Sequence, residues 1–182
     1  MKYHKIIQKP HCCVGACLEM ILNRHSIENT GQEDIAYQLG LVVPESDRHL
    51  FKRARVENKP SSGYGTQIQK EEYSINNYFR TNNIELKEFY HFIDHTDDMR
   101  EFLTLNNDED ILVCFHCGTL FDAPHANWGH MMLFEYIEND NVTLLDNSVK
   151  RSYETVSLER LVEAISIHGK ENGAGFYLIK KI

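Results

Sequence analysis

Gln8-Lys-Pro-His-Cys-Cys13-Val-Gly-Ala-Cys-Leu-Glu-Met20 is the stretch from which the fold is read. Cys13, Ala16, Cys17, Met20 and Ile21 recur at i, i+3, i+4, i+7 and i+8. That is an apolar stripe on a helix of about three turns, beginning near Cys13. A cysteine at a helix start lies where unpaired backbone N–H groups and the helix dipole favour the thiolate, the attacking form of the thiol. Its own N–H also faces the oxyanion that develops on an attacked carbonyl, and a side-chain amide such as Gln8 could supply a second donor. Cysteine is equally among the most buried residue types, so packing competes as a reading of Cys13 and is the better one for Cys17.

Working outward, residues 3–7 read as a short strand ended by Pro10. Thr30 with Glu33 makes a capping box for a second helix carrying Ile35, Ala36 and Leu39, closed by Gly40. From about 41 to 69 the periodicity dissolves into charges, Pro44, Pro60 and the Ser-Ser-Gly-Tyr-Gly-Thr run at 61–66. A stretch that long is functional or mobile; a mobile cover or substrate-facing loop is the expectation, with an inert insertion as the competing reading. A third helix carries Ile75, Tyr78 and Phe79, residues 84–90 read as a strand, and Thr96 caps a short helix with Met99, Phe102 and Leu103.

The second half is β-rich. Ile111 to Phe115, His130 to Ile137 and Val142 to Leu145 are short apolar runs, the last two joined by Glu138-Asn139-Asp140-Asn141, a hairpin connection. Ser157 caps a helix with Leu158, Leu161, Val162 and Ile165 inward, and Gly175 to Ile179 is a final strand. Helices first and then a mostly antiparallel sheet is an α+β arrangement, with the N-terminal helices packed on the sheet.

At 182 residues the chain fits one domain spanning 1–182. A formal charge of −8 argues against a nucleic-acid or anionic-membrane binder, because both need basic surface. The one basic cluster, Arg48, Lys52, Arg53, Arg55 and Lys59, reads as a solvated loop face. No apolar run approaches the roughly 20 residues of a transmembrane helix, and the N-terminus lacks the apolar core of a signal peptide. Five cysteines, two of them adjacent, do not read as a disulfide framework, and a cytoplasmic location is expected. No cofactor is expected. A metal site from Cys114-Phe-His-Cys117 with His11, Cys12 or His125 is the competing reading, but a single CxxC lacks the paired spacing of zinc modules.

A thiol nucleophile needs a base. His130 follows Trp128-Gly129 and opens an apolar strand, which holds its ring at a strand end. Asp146 ends the next strand, where a carboxylate accepts the imidazole N–H and fixes the tautomer, or simply begins the Asp-Asn-Ser turn. Two registers are open. A reversal centred on Glu138 puts residues 130 and 146 opposite each other. A reversal between Asn139 and Asp140 pairs Asp146 with Leu133, and a bulge is then needed to bring it back. Trp128 is a candidate cover for the bond, or ordinary packing at the sheet end.

Cys13-Val-Gly-Ala-Cys-Leu-Glu-Met-Ile-Leu resembles the Cys-Gly-x-Ala/Thr-x-Leu-x-Met block of C39-like cysteine peptidases, in the papain-like superfamily. Gly129-His130-Met-Met-Leu-Phe-Glu-Tyr and Leu-Leu-Asp146-Asn resemble that family's Gly-His strand and its Asp-terminated partner. The resemblance runs from Gln8 to the last strand and implies a papain-like fold. It also implies Cys13 as nucleophile, His130 as general base, Asp146 as orienter and Gln8 as oxyanion donor. Val14 stands where the family has glycine, and Gln8 lies five residues before Cys13, where six is usual. The implied activity is hydrolysis of a peptide or amide bond through a thioester. A glutamine deamidase, an acyltransferase and a non-catalytic papain-like binding domain are the alternatives. Family members that cut double-glycine leader peptides sit on membrane exporters, and with neither membrane segment nor ATPase here, that substrate is not expected to carry over.

Overall fold

The computed structural model describes residues 1–61 and 63–182; Ser62, within the 61–66 run, lies outside the described residues. The chain forms two compact units. One comprises Met1–Lys87, Asn147–Val149 and Lys181–Ile182, the other Glu88–Asp146 and Lys150–Lys180.

In the first unit, residues 3–7 form no strand. They run as an irregular arm into a turn, Lys9-Pro10-His11-Cys12, closed by the Cys12 N–H on the Lys9 carbonyl at 3.1 Å. Pro10 presets its φ for such a turn, and His11 adopts a left-handed φ of 61°. The His11 ring is held there by Asp47, Nε2 to Oδ2 2.8 Å. Helix α1 spans Cys13–Arg24; Ala16, Cys17, Met20 and Ile21 of the stripe are buried, as are Val14, Gly15, Leu18 and Leu22 outside it, while Cys13 is half-buried. Helix α2 spans Gln32–Gln38. A Cβ on Gly15 would run into the Gln32 carbonyl oxygen and lie 3.0 Å from the Ala36 Cβ, so only glycine lets α2 come this close.

The expected capping box does not form. Gly31 precedes α2 at φ 84°, with no side-chain cap. Glu33 instead receives Lys9 Nζ and the backbone N–H groups of Lys52 and Arg53. Strands β1 (Val42–Val43) and β2 (Arg55–Val56) pair in parallel around a 3-10 turn at Glu45–Leu50. Leu41, Val43 and Phe51 form a small core with Cys12 and Ala36. The basic cluster is partly structural: Arg53 lies 4.1 Å over the Tyr37 ring, and Arg55 4.5 Å over Tyr73. Helix α3 (Ile75–Thr81) starts at Ser74, whose Oγ accepts from the Asn77 N–H.

The sheet contains β3 (Leu86–His91), β4 (Asp110–His116), β5 (Gly129–Glu138), β6 (Asn141–Leu145), β7 (Tyr153–Ser157) and β8 (Gly175–Lys181), in the order β3-β8-β4-β5-β6-β7. The β8–β4, β4–β5, β5–β6 and β6–β7 pairings are antiparallel. In the second unit α4 (Thr96–Leu105), the short α5 (Cys117–Leu120) and α6 (Leu158–His168) share a core with one sheet face: Met99, Leu103, Leu158, Leu161 and Ile165 meet Val113, Met132, Phe134, Leu144 and Phe176. Ser157 caps α6 as expected, Oγ accepting from the Arg160 N–H at 3.2 Å. Thr96 is the first helical residue of α4 rather than its cap. Among the described residues no helix is long and apolar enough to cross a membrane.

The β5–β6 hairpin turns at Asn139 and Asp140, both at positive φ (47° and 61°). That is the geometry of a two-residue turn matched to strand twist. The ladder runs Glu138↔Asn141, Ile137↔Val142, Tyr136↔Thr143 and then Phe134↔Leu144, Leu133↔Leu145, so Glu135 is the extra residue of a bulge. Side chains alternate along a strand, so this single residue reverses which face the earlier part of β5 presents. Tyr136 therefore points away and is 47% exposed, while Ile137 and Phe134 both join the helix-side core.

Candidate active site

Cys13 is the first residue of α1 and is half-buried, whereas Cys12 and Cys17 are buried. Cys12 packs in the small core with Ala36, Leu41 and Phe51. Burial, with the neighbouring Cys13 and Glu33 adding to it, pushes its thiol up to about 12. Two adjacent thiols are thus different groups: one closed into apolar surroundings, the other at a helix start.

Asn147 joins this helix to the arm before it. Its Nδ2 donates to the Cys13 carbonyl at 2.9 Å and to Cys17 Sγ at 3.2 Å, and its carbonyl accepts the Gln8 N–H at 2.8 Å. The residue is fully buried. Gln8 Oε1 is buried too, and finds no hydrogen-bond partner among the described residues.

In the second unit His130 Nε2 lies 3.2 Å from Asp146 Oδ1. The Asp146 side chain is 1% exposed and that of His130 12%. The bulge at Glu135 is what permits the contact. The turn lies between Asn139 and Asp140, so an unbroken ladder would put Asp146 opposite Leu133, on the face His130 does not share. With the bulge, Leu145 pairs with Leu133, and the next residue, Asp146, falls opposite Met132. Met132 and His130 share a face, leaving Asp146 on the diagonal from His130, within side-chain reach. The Asp146 N–H donates to the Ser152 carbonyl at 2.9 Å, which continues the β6–β7 ladder and holds the carboxylate's backbone. Phe115, paired across β4–β5 with His130, presents its ring edge-on at 6.0 Å between centroids. Trp128, the expected cover, is 57% exposed.

Gly129, just before His130, is also a steric requirement. A Cβ there would strike the ring of His168, at the end of α6. Burial, reinforced by nearby His116, lowers the His168 pKa.

The Cys114-x-x-Cys117 pair splits between β4 and the start of α5, where the intervening His116 caps α5 by accepting the Thr119 N–H. Among the described residues no three His, Cys, Asp or Glu side chains are grouped to hold a metal ion.

Within the units, then, the structure brings His130 and Asp146 into contact, and ties Gln8 and Cys13 to a common residue. That residue, Asn147, reads in the sequence only as part of a turn. Gln32, whose amide grips the backbone around Gln8, gives no signal in the sequence at all.

No protein family and no curated protein matches the chain by sequence. Solved structures match it by fold. A double-glycine-motif protease from an AMS/PCAT transporter, in complex with its leader peptide, is 13% identical with a TM-score of 0.55, over 100% of this chain and 93% of that one. The peptidase domain of Streptococcus ComA, a bifunctional ABC transporter of a quorum-sensing pathway, is 13% identical with a TM-score of 0.56, over 98% and 96%. A protein from Bacillus anthracis described as a C39-like peptidase is 12% identical with a TM-score of 0.60, over 98% and 94%. The chain has the α+β fold of papain-like cysteine peptidase domains. More particularly, the fold is that of C39 peptidases, across its whole length.

Proposed function

We propose that this chain is a cysteine peptidase, built as one C39-like domain, that cleaves a peptide or amide bond with Cys13 as nucleophile. The observation that carries the reading is the His130–Asp146 pair: a buried carboxylate 3.2 Å from an imidazole at a strand end, on a C39 fold. Asp146 accepts the Nε2–H and leaves Nδ1 as the basic nitrogen of the ring. His130 takes the Cys13 proton, and the thiolate adds to the carbonyl carbon. The oxyanion is met by the Cys13 N–H and the Gln8 amide. As the intermediate collapses, the C–N bond breaks and His130 protonates the leaving amine. Water, deprotonated by His130, then hydrolyses the thioester and frees Cys13.

A peptide substrate is supported by the neighbour that holds a leader peptide. Five cysteines without a disulfide fit a reducing compartment, and the cytoplasm is the location we propose. Mass spectrometry after incubation with peptide vinyl sulfones tests the activity: a single adduct on Cys13, lost in His130→Ala, is expected. An unreactive Cys13 in folded protein would leave a binding domain instead.

A further inference from the structure

We propose that Gln32 and Asn147 are positioning residues that together set the two oxyanion donors, Gln8 and the Cys13 N–H. The inference rests on the reading of Cys13 and Gln8 just given. The arm that carries Gln8 has no strand partner, yet its backbone is bonded as if it had one. Gln32 Nε2 donates to the Ile7 carbonyl at 2.9 Å, and Gln32 Oε1 accepts the Lys9 N–H at 2.6 Å. One primary amide thus takes the carbonyl before residue 8 and the N–H after it, while the Gln8 N–H itself goes to the Asn147 carbonyl. These three bonds fix the direction in which the Gln8 side chain leaves the chain, although its Oε1 has no hydrogen-bond partner among the described residues.

Gln32 is itself held from every side. Its N–H donates to Glu19 Oε2 at 2.8 Å, and its carbonyl occupies the space left by the missing Cβ of Gly15. Gly15 lies two residues after Cys13, in the first turn of α1. The clamp on Gln8 is therefore referenced to the same helical turn that presents the nucleophile. Asn147 closes the loop by holding Gln8 through its backbone and Cys13 through its side chain. A donor must sit at hydrogen-bond distance from where the oxyanion forms, so a shift of well under an ångström in this arm is felt in the rate.

The test compares two reactions of the same thiol. Acylation by p-nitrophenyl acetate passes through an oxyanion: the thiolate adds to the ester carbonyl, p-nitrophenolate leaves, and an acetyl thioester remains. Alkylation by iodoacetamide displaces iodide at a saturated carbon and forms no oxyanion. Gln32→Ala and Asn147→Ala should each slow the p-nitrophenolate burst about tenfold or more, a fraction of the 10²–10³ typical for loss of a donor itself. Alkylation should stay within about twofold, as it responds to thiolate and access rather than to the oxyanion hole. Gln8→Ala should slow the burst further than Gln32→Ala does, and combining the two should add nothing. Gln32→Met, which keeps the side-chain length, repeats the measurement should the alanine variant unfold. An unchanged burst, a parallel loss of both reactions, or losses that multiply in the double variant would overturn the clamp. A wild-type protein that alkylates at Cys13 but shows no burst would instead overturn the acyl-transfer reading on which the clamp stands.

Discussion

In the β5–β6 hairpin two side chains of the candidate site are placed by counting. The turn at Asn139-Asp140 and one extra residue, Glu135, decide that His130 and Asp146 share a sheet face, and the ladders on either side leave them little freedom. In the arm and first turn of α1, Gln8 and Cys13 are placed by side-chain amides on an irregular backbone, and by a glycine that lets one helix approach another. A register is all-or-none, since a slip of one residue reverses the face. A clamp of individual bonds is graded, since each contributes about 1 kcal/mol and can be lost singly. Lesions in the hairpin should abolish function outright, while lesions in the arm, short of Cys13 itself, should diminish it by steps.

The largest effect falls on the thiols. Cys13→Ala is expected to remove every covalent adduct and all acylation while leaving the unfolding transition in place, because a half-buried side chain at a helix start leaves little cavity. Cys12→Ala should keep most activity and cost roughly 1 kcal/mol, the scale of a small buried truncation. With its thiol held near 12, Cys12 is protonated at any pH used for labelling, so iodoacetamide at neutral pH should modify Cys13 alone. Peptide mapping that finds the label on Cys12 would break the assignment.

Next comes the pair. Asp146→Asn keeps the size of the side chain but can present its N–H to His130, favouring the wrong tautomer; a drop of about 10⁴ in acylation rate is the scale of such a change in a serine triad. Pre-steady-state bursts measure it. A loss of less than about tenfold would mean that the 3.2 Å contact is only structural.

The sequence carried the helix-then-sheet order, the α1 stripe and the Ser157 cap, because these follow from local periodicity and local hydrogen bonding. His130 and Asp146 were legible as strand-end residues, but the bulge that unites them was not. Nothing in Phe134-Glu135-Tyr136 marks which residue will be left unpaired, since that depends on the turn at one end and the core at the other. The capping box at Thr30–Glu33 failed for a tertiary reason: Lys9, Lys52 and Arg53 supply Glu33 with more donors than the helix could. Gln32 and Asn147 were invisible for the same reason, as their partners lie 23 to 25 and 130 to 134 residues away.

Two glycines, one in each region, sharpen the comparison further. Gly15→Ala drives a methyl against the Gln32 backbone oxygen, which cannot turn aside, and a destabilisation of about 2–3 kcal/mol with loss of burst amplitude is expected. Gly129→Ala meets first the His168 ring, a side chain rather than backbone, so a smaller cost of about 1 kcal/mol is expected. His168→Ala in the same chain should relieve most of that cost. Denaturant titrations of the singles and the double form a cycle, and purely additive Gly129 and His168 effects would show that the ring is not the obstacle.

The smallest expected effect is a pH dependence of stability in the sheet unit. His168 stands at the end of α6, where the helix dipole would favour a charged ring. Burial wins, and His116 adds to it, so the folded-state pKa lies below the ordinary value, with Glu171 and the Asn172 backbone opposing the shift only in part. Above about pH 6.5 the ring is neutral in both states and contributes nothing to the slope. As pH falls through that value the unfolded chain binds a proton that the folded chain still refuses, so stability declines until the folded pKa is also passed. His168→Gln removes the titration and should flatten this part of the curve below about pH 6.5, without changing stability at pH 8 by more than the contact with Gly129 is worth. Guanidinium midpoints across that range provide the reading. If the variant keeps the full wild-type slope, the acid sensitivity belongs to carboxylates such as Glu33 and Asp47, whose pKa values lie below the ordinary range. For Glu33, hydrogen bonds from Lys9 and from the Lys52 and Arg53 backbone outweigh the effect of burial; for Asp47, His11 does most of the lowering. Their stabilisation, modest because both are solvent-screened, is present above the usual carboxylate pKa and fades as pH falls through their lowered values.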